Sequence, residues 1–235
     1  MHCYDSERIY GYSCCRVSQM GKFHCLRTLS FFFSFRRLIY SYLFFILLIN
    51  CRWNVFHGAR ILDVETSAKA VSKATSPGQM LAGVGYSMGA IIISNYVARS
   101  GANCYLDAVM AISGGLDGRE MLNFKRSMRL WQPMLAEILR DELIVQKFEN
   151  RFRHRLTKDE HLRLMRSSSV TEIDIYAMVS YNGFDDLEHY YTEMSAMGDT
   201  AAFQANPLDD NIGRIANVSI PFCVLHGTFC SFVCF

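Results

Sequence analysis

The pentapeptide Gly85-Tyr86-Ser87-Met88-Gly89 has the form G-x-S-x-G, which presents a serine hydroxyl on a tight strand-to-helix turn. A serine hydroxyl is a weak nucleophile at its free pKa, so base and substrate must meet it together. The turn lifts Ser87 clear of a sheet in a strained backbone conformation. Gly85 and Gly89 are expected to flank it because a side chain at either would collide where strand and helix pass closely. The same turn aims the Met88 amide at the place where an oxyanion would form. By chance such a pentapeptide occurs in roughly one chain in ten of this length, so its surroundings decide.

Those surroundings fit. Met80 to Val84 reads as a short buried strand, and Ala90 to Ala98 as a helix apolar nearly all round. Gly101 follows as a helix stop, and Tyr105 to Ser113 supplies another apolar strand. Upstream, Ile61, Val64, Ala68 and Val71 recur at helical spacing, with Asp63 and Glu65 where the macrodipole favours acids. Thr75-Ser76-Pro77-Gly78 closes that helix and turns into the strand.

After Ser113-Gly114-Gly115-Leu116-Asp117-Gly118 a mostly helical insertion is expected over about residues 119–197. Met128, Trp131, Leu135, Ile138 and Leu139 mark one amphipathic face, with Pro133 as a bend. Thr157 to Glu160 and Ser169 to Glu172 have capping-box form, Asp185 with Glu188 suggests a third helix start, and Gly198 a stop. The aromatic and methionine content suits a lid over an apolar pocket and suits plain core packing equally. Val218 to Pro221 then leads into a last short strand, Phe222 to His226.

A chain of 235 residues is long enough for one sizeable core. The expected division is an atypical segment 1–56 and a partial α/β domain 57–235. A net charge of +2 argues neither for nucleic acid nor for an acidic partner, and no nucleic acid is expected. The basic run Arg151 to Arg155 reads as a solvated face. Nine cysteines, an odd number, exclude a fully paired disulfide framework within the chain, and only Cys104 lies in its middle, which favours a reduced compartment there. The first 56 residues are dense in cysteine and aromatics and show neither a 2.0 nor a 3.6 period. Leu38 to Ile49 carries no charge, but twelve residues fall short of the roughly 20 a membrane span needs. Extended over about 38–56 it reaches that length and takes in Asn50 and Arg52, so a membrane anchor and a non-spanning segment both stay open. Arg36 and Arg37 would keep the N-terminus cytosolic. Without an anchor the expected location is cytoplasmic.

The stretches Leu62 to Thr66, Gly83 to Ala90, Arg129 to Pro133, Tyr181 to Phe184, Glu188 to Tyr191, Ile220-Pro221 and Val224 to His226 come in one order. From about Gly58 to His226 the chain thereby resembles α/β-hydrolase-domain proteins of the YheT and embryogenesis-associated type. The resemblance implies an α/β-hydrolase fold with a helical lid, and esterase or lipase activity on medium-chain esters, acylglycerols or phospholipids. It also implies membrane association through an N-terminal segment. Carried over by position, Ser87 is the nucleophile and the Met88 amide one oxyanion donor; no cofactor and no metal are implied.

Two departures accompany the match. The family's acid would fall just after His226, where Gly227-Thr228-Phe229-Cys230 holds no carboxylate, and no further strand brings a histidine. His226 matches a strand-end position of the family, not its base. The Gly-rich oxyanion loop and the strands before the turn have no counterpart in residues 1–56. The expectation is a hydrolase domain truncated at both ends, its parallel sheet incomplete. A missing triad member costs several orders of magnitude in rate.

Asp117 follows a strand, where some related hydrolases carry the acid, but reads better as the loop residue that starts the insertion. His154, His161 and His189 lie in the insertion, ahead of any ordinary triad position. His226, Cys230 and Cys234 fall at four-residue intervals without a familiar zinc spacing. No H-E-x-x-H, Walker A or dinucleotide fingerprint is present. Two readings follow: a serine carboxylesterase or acylglycerol lipase acting on a small lipid or ester, and a non-catalytic relative or fragment that at most binds lipid.

Overall fold

The structure is a computed structural model and describes residues 12–17, 23–25, 55, 57–122, 129, 132–200 and 213–227. Leu38 to Ile49, most of the 38–56 stretch, Met128, Trp131, Cys230 and Cys234 lie outside the described residues. Among the described residues, no helix is long and apolar enough to cross a membrane.

The chain is mixed α/β. Its sheet has the order β2-β1-β5-β4-β3, with β1 at Tyr12–Val17, β2 at Phe23–Cys25, β3 at Ala82–Tyr86, β4 at Ala108–Ile112 and β5 at Phe222–Gly227. β3, β4 and β5 run parallel, in the register Tyr86↔Ile112↔Leu225. β1 is antiparallel to β5, with Ser13 opposite His226, and β2 is antiparallel to β1. The expected incomplete parallel sheet has three such strands, and the cysteine-rich N-terminal segment adds two antiparallel ones, so the sheet is mixed. β1 joins the sheet through β5, far along the chain, and β2 joins it through β1.

The strand before Ser87 begins at Ala82 instead of Met80. At Leu81 the amide donates to Asp107 Oδ2 at 2.7 Å, while the carbonyl still accepts from the Asp107 amide at 2.8 Å. Helix α1 (Leu62–Ala74) begins as expected, with Asp63 and Glu65 in its first turn. Its Val71 is exposed, however, and only Ala68 is fully buried. Helix α2 (Met88–Ser100) is buried from Ala90 to Ala98 and ends at Gly101, whose φ of 51° suits glycine. It is apolar all round because it is covered on two sides. Ile93, Tyr96 and Val97 pack with Val109, Ala111 and Phe222 of the sheet. Ile91 packs instead with Phe152, Leu164, Tyr190 and Met194 of the helical layer.

Among the described residues only one face of the parallel strands is covered in this way. Along β4, Val109 and Ala111 are buried under α2, while Ala108, Met110 and Ile112 point the other way and are half-buried. On β3 the same alternation leaves Val84 37% and Tyr86 60% exposed. Parallel sheets are ordinarily covered on both faces.

The helical layer comprises α3 (Gln132–Ile138), α4 (Glu149–Arg155), α5 (Lys158–Met165), α6 (Val170–Ile173) and α7 (Leu187–Met194). Two π-helical stretches, Leu139–Phe148 and Asp174–Val179, interrupt it. Pro133 lies in the helical stretch Gln132–Ile138. Ile138 faces solvent, outside the expected apolar face. Asp186, one residue later than expected, caps α7 by accepting from the His189 amide at 2.7 Å. Asn95 on α2 donates to the Glu193 carbonyl at 2.8 Å, and Arg99 and Arg214 both meet the Glu193 carboxylate, which ties the layer to the sheet.

The capping box at Thr157 forms in full. Its hydroxyl accepts from the Glu160 amide, and the Glu160 carboxylate accepts from the Thr157 amide at 2.9 Å. The Thr157 hydroxyl, which reaches Glu160 Oε2 at 2.7 Å, and then the Thr157 amide hold the Glu160 carboxyl below its ordinary pKa. Thr157→Ala is expected to destabilise the chain by about 1 kcal/mol, read as a lower urea midpoint at unchanged slope.

Candidate functional site

β3 runs directly into α2, and the turn between them is a single residue, Ser87, with φ 51° and ψ −121°. L-residues rarely adopt this conformation, and it costs on the order of 1–3 kcal/mol. The Ser87 amide continues the sheet by donating to the Ile112 carbonyl at 3.0 Å. Its carbonyl already belongs to the helix and accepts from Ala90 at 2.9 Å and Ile91 at 3.2 Å. The reversal leaves the residue exposed at the carboxyl rim of the parallel strands. The Met88 and Gly89 amides are first-turn amides of α2 and have no intrahelical acceptor.

Gly85 is required as expected: a Cβ there would lie 2.6 Å from the Gly89 carbonyl carbon and 2.8 Å from Ala90 Cα. The expectation for Gly89 is corrected, because a Cβ there would meet nothing within 4 Å. Its position on the outer side of the first helical turn explains the difference. The second close approach belongs to Gly114, where a Cβ would lie 2.7 Å from the Ser87 carbonyl oxygen.

The neighbouring strand ends in the same manner. Ser113 follows β4 with a positive φ of 54°, and its amide donates to the Leu225 carbonyl at 2.8 Å. Ser87, Ser113 and His226 therefore stand one residue beyond the paired row Tyr86, Ile112 and Leu225. Such a rim, beyond the carboxyl ends of parallel strands, is where open α/β sheets bind ligands. A shallow recess lined by Ser72, Pro77, Gln79 and Asp107 lies at the opposite, amino end of β3 and β4.

The other candidates separate from Ser87. Asp117 is buried and engaged by Arg119, whose Nε reaches Oδ1 at 2.9 Å and Nη2 reaches Oδ2 at 3.0 Å. It locks the loop after β4 to the helical layer, together with the Gly118 amide donating to Ser195 Oγ at 2.7 Å. His154 is exposed on α4. His161 buries an Nε2 without a hydrogen-bond partner, and His189 meets Asp185 at 3.0 Å. Among the described residues no group of three metal-ligating side chains forms.

His57 was not marked by spacing or motif. Its ring lies edge-on to Phe184 and Tyr190, at 5.5 and 6.1 Å between centroids, and its Nδ1 is buried without a partner. Burial, and then the nearby Arg60 guanidinium, push its pKa down to about 4. The adjacent Gly58 donates to Tyr190 Oη at 3.1 Å, and a Cβ at Gly58 would lie 3.2 Å from Met88 Sδ. The segment thus lies against the start of α2. Only tertiary contact reveals it; the one local hint is that His57-Gly58 precedes an acidic helix start.

Comparison of the chain with protein-family models, with curated proteins and with solved structures finds no match.

Proposed function

We propose that the chain is a serine hydrolase of the carboxylesterase or acylglycerol lipase type, acting on medium-chain or membrane lipid esters. Ser87 is its nucleophile. The observation that carries the reading is the positive φ of Ser87 at a one-residue junction between a parallel strand and a buried helix. That strain is spent on presenting one hydroxyl, and the free first-turn amide of Met88 stands beside it as an oxyanion donor. The resemblance drawn from Gly83 to Ala90 and the stretches around it supports the same reading. The helical layer then takes the part of a lid, and the N-terminal segment that of a membrane attachment. The substrate class calls for neither metal nor nucleic acid.

One observation favours the second reading, a relative that binds lipid without turning it over. Asp117, the first carboxylate after β4, is held by Arg119 and unavailable to orient a base.

A fluorophosphonate probe on the purified full chain separates the two. Labelling is expected at Ser87, with complete loss in Ser87→Ala at an unchanged urea midpoint. A cooperatively folded wild-type chain that takes no label rejects the hydrolase.

A further inference from the structure

The helical layer turns a basic surface outward. Residues 147–166 hold seven lysines and arginines against three acids, a local charge of +4 in a chain whose total is +2. Phe152 of α4 and Leu164 of α5 are fully buried and pack with Ile91 of α2, so the two helices present their other sides to solvent. We propose that this outer face of α4 and α5 docks the chain on an anionic lipid bilayer.

The three acids are engaged within their own helices. Glu149 meets Arg153 and Asp159 meets Arg163, each pair one turn apart, and Glu160 closes the capping box with Thr157. The Arg155 guanidinium lies over the Tyr181 ring at 4.7 Å and that of Arg151 over the Phe148 ring at 5.0 Å, which holds both planar forks in place. Such forks match the oxygens of a phosphate. Lys147, Lys158 and Arg166 are exposed and meet no carboxylate among the described residues. Widening the stretch to Arg140 adds the pair Arg140 and Asp141, at 2.8 Å, and the exposed Glu142, and leaves the charge at +3.

Leu162 separates a bilayer from other polyanions. It is 46% exposed on the outer side of α5, with Lys158 four residues before it and Arg166, at the C-cap, four residues after. A leucine between two cations is the pattern of a helix lying in the headgroup region. The hydrocarbon enters the boundary while the long cationic stems reach back to the phosphates. A nucleic-acid backbone or an acidic peptide offers that leucine nothing comparable. The choice of lipid also rests on the reading of the substrate as a membrane lipid ester. Attachment through α4 and α5 does not involve residues 38–56, and it differs from a hydrophobic anchor in weakening with salt.

The test sediments the full chain with vesicles of phosphatidylcholine alone, or with about one-third phosphatidylglycerol, at salt of about 0.05 M and about 0.5 M. The wild-type chain is expected to bind the anionic vesicles, to leave the neutral ones, and to be released by the higher salt. Each cation near an anionic surface strengthens binding about fivefold, so the double variant Lys158→Gln with Arg166→Gln is expected to bind about thirtyfold more weakly. Its urea midpoint and its fluorophosphonate labelling are expected to stay at wild-type values. Leu162→Ser is expected to weaken vesicle binding while leaving retention on heparin unchanged.

Binding to both vesicle types alike, or binding that the higher salt does not weaken, overturns the proposal even where no variant folds. So does a folded double variant that binds as wild type does. Retention on heparin without binding to anionic vesicles assigns the face to another polyanion and overturns it too. If vesicle binding fails in one of these ways while Ser87 still labels, the hydrolase reading stands. Salt-sensitive binding to anionic vesicles by a chain that takes no label supports the docking face and removes the hydrolase alone.

Discussion

Gly85→Ala is expected to destabilise the chain by about 3 kcal/mol or more and to abolish labelling of Ser87. The new methyl would meet the Gly89 carbonyl carbon at 2.6 Å and Ala90 Cα at 2.8 Å. Both are backbone atoms of the first turn of α2, so no side-chain rotation relieves the contact. Overpacking against movable side chains typically costs 1–3 kcal/mol; displacing a helix buried from Ala90 to Ala98 lies at the top of that range or above it. Any accommodation pushes α2 away from β3, and Ser87 is the single residue joining them. Gly89→Ala is the internal control. Its Cβ has open space, and alanine suits a helix better than glycine, so it is expected to be neutral or to stabilise by up to about 1 kcal/mol. Urea unfolding of both variants checks the pair, and equal losses would contradict the junction described here.

Asp174 gives the second large effect, as a dependence of stability on pH. It opens the π-helical stretch Asp174–Val179, and its Oδ2 accepts from Tyr191 Oη at 2.9 Å. Burial raises its pKa from 3.8 to about 7, against the opposing Tyr191 hydrogen bond. Between these values the native chain keeps the proton and the unfolded chain has lost it, so stability falls as pH rises from about 4 to about 7 and then levels. Burial and the neighbouring carboxylate likewise push the Tyr190 and Tyr191 hydroxyls upward, which keeps both neutral throughout that window. Asp174 keeps part of its surface in solvent, so the loss is set at about 2 kcal/mol, less than the full displacement would carry. Asp174→Asn is expected to flatten the profile and to be the more stable chain at pH 8. Urea midpoints at pH 5, 7 and 8 check it, and a wild-type midpoint that rises with pH would contradict the sign.

What the sequence discloses is local. Ser87 and Gly85 are legible because the turn is enforced by four or five consecutive residues. Gly101 and the Thr157 box are legible for the same reason, since each closes its hydrogen bonds within one turn. The box at Ser169 is half legible: Ser169 accepts from the Glu172 amide, but the Glu172 carboxylate goes to the Ser168 amide instead. Features set by distant partners are not legible. β1 joins the sheet through β5, about two hundred residues on, and Asp107 holds both the amide and the carbonyl of Leu81. Gly89 fits the motif's spelling, whereas the close contact falls on Gly114, twenty-five residues later. His57 and the row Ser87, Ser113 and His226 are products of register and packing that no spacing announces.

The side of the sheet that no described element covers bears on how the molecule behaves in a crowd. Val84 and Tyr86 present hydrocarbon to water beside a strand whose outer edge has no pairing partner among the described residues. Water in contact with such a surface gains by being expelled, and an unpaired strand offers a ready-made seam for a stranger's backbone. Among the described residues this lower surface therefore favours self-association, independently of any chemistry on the rim above it.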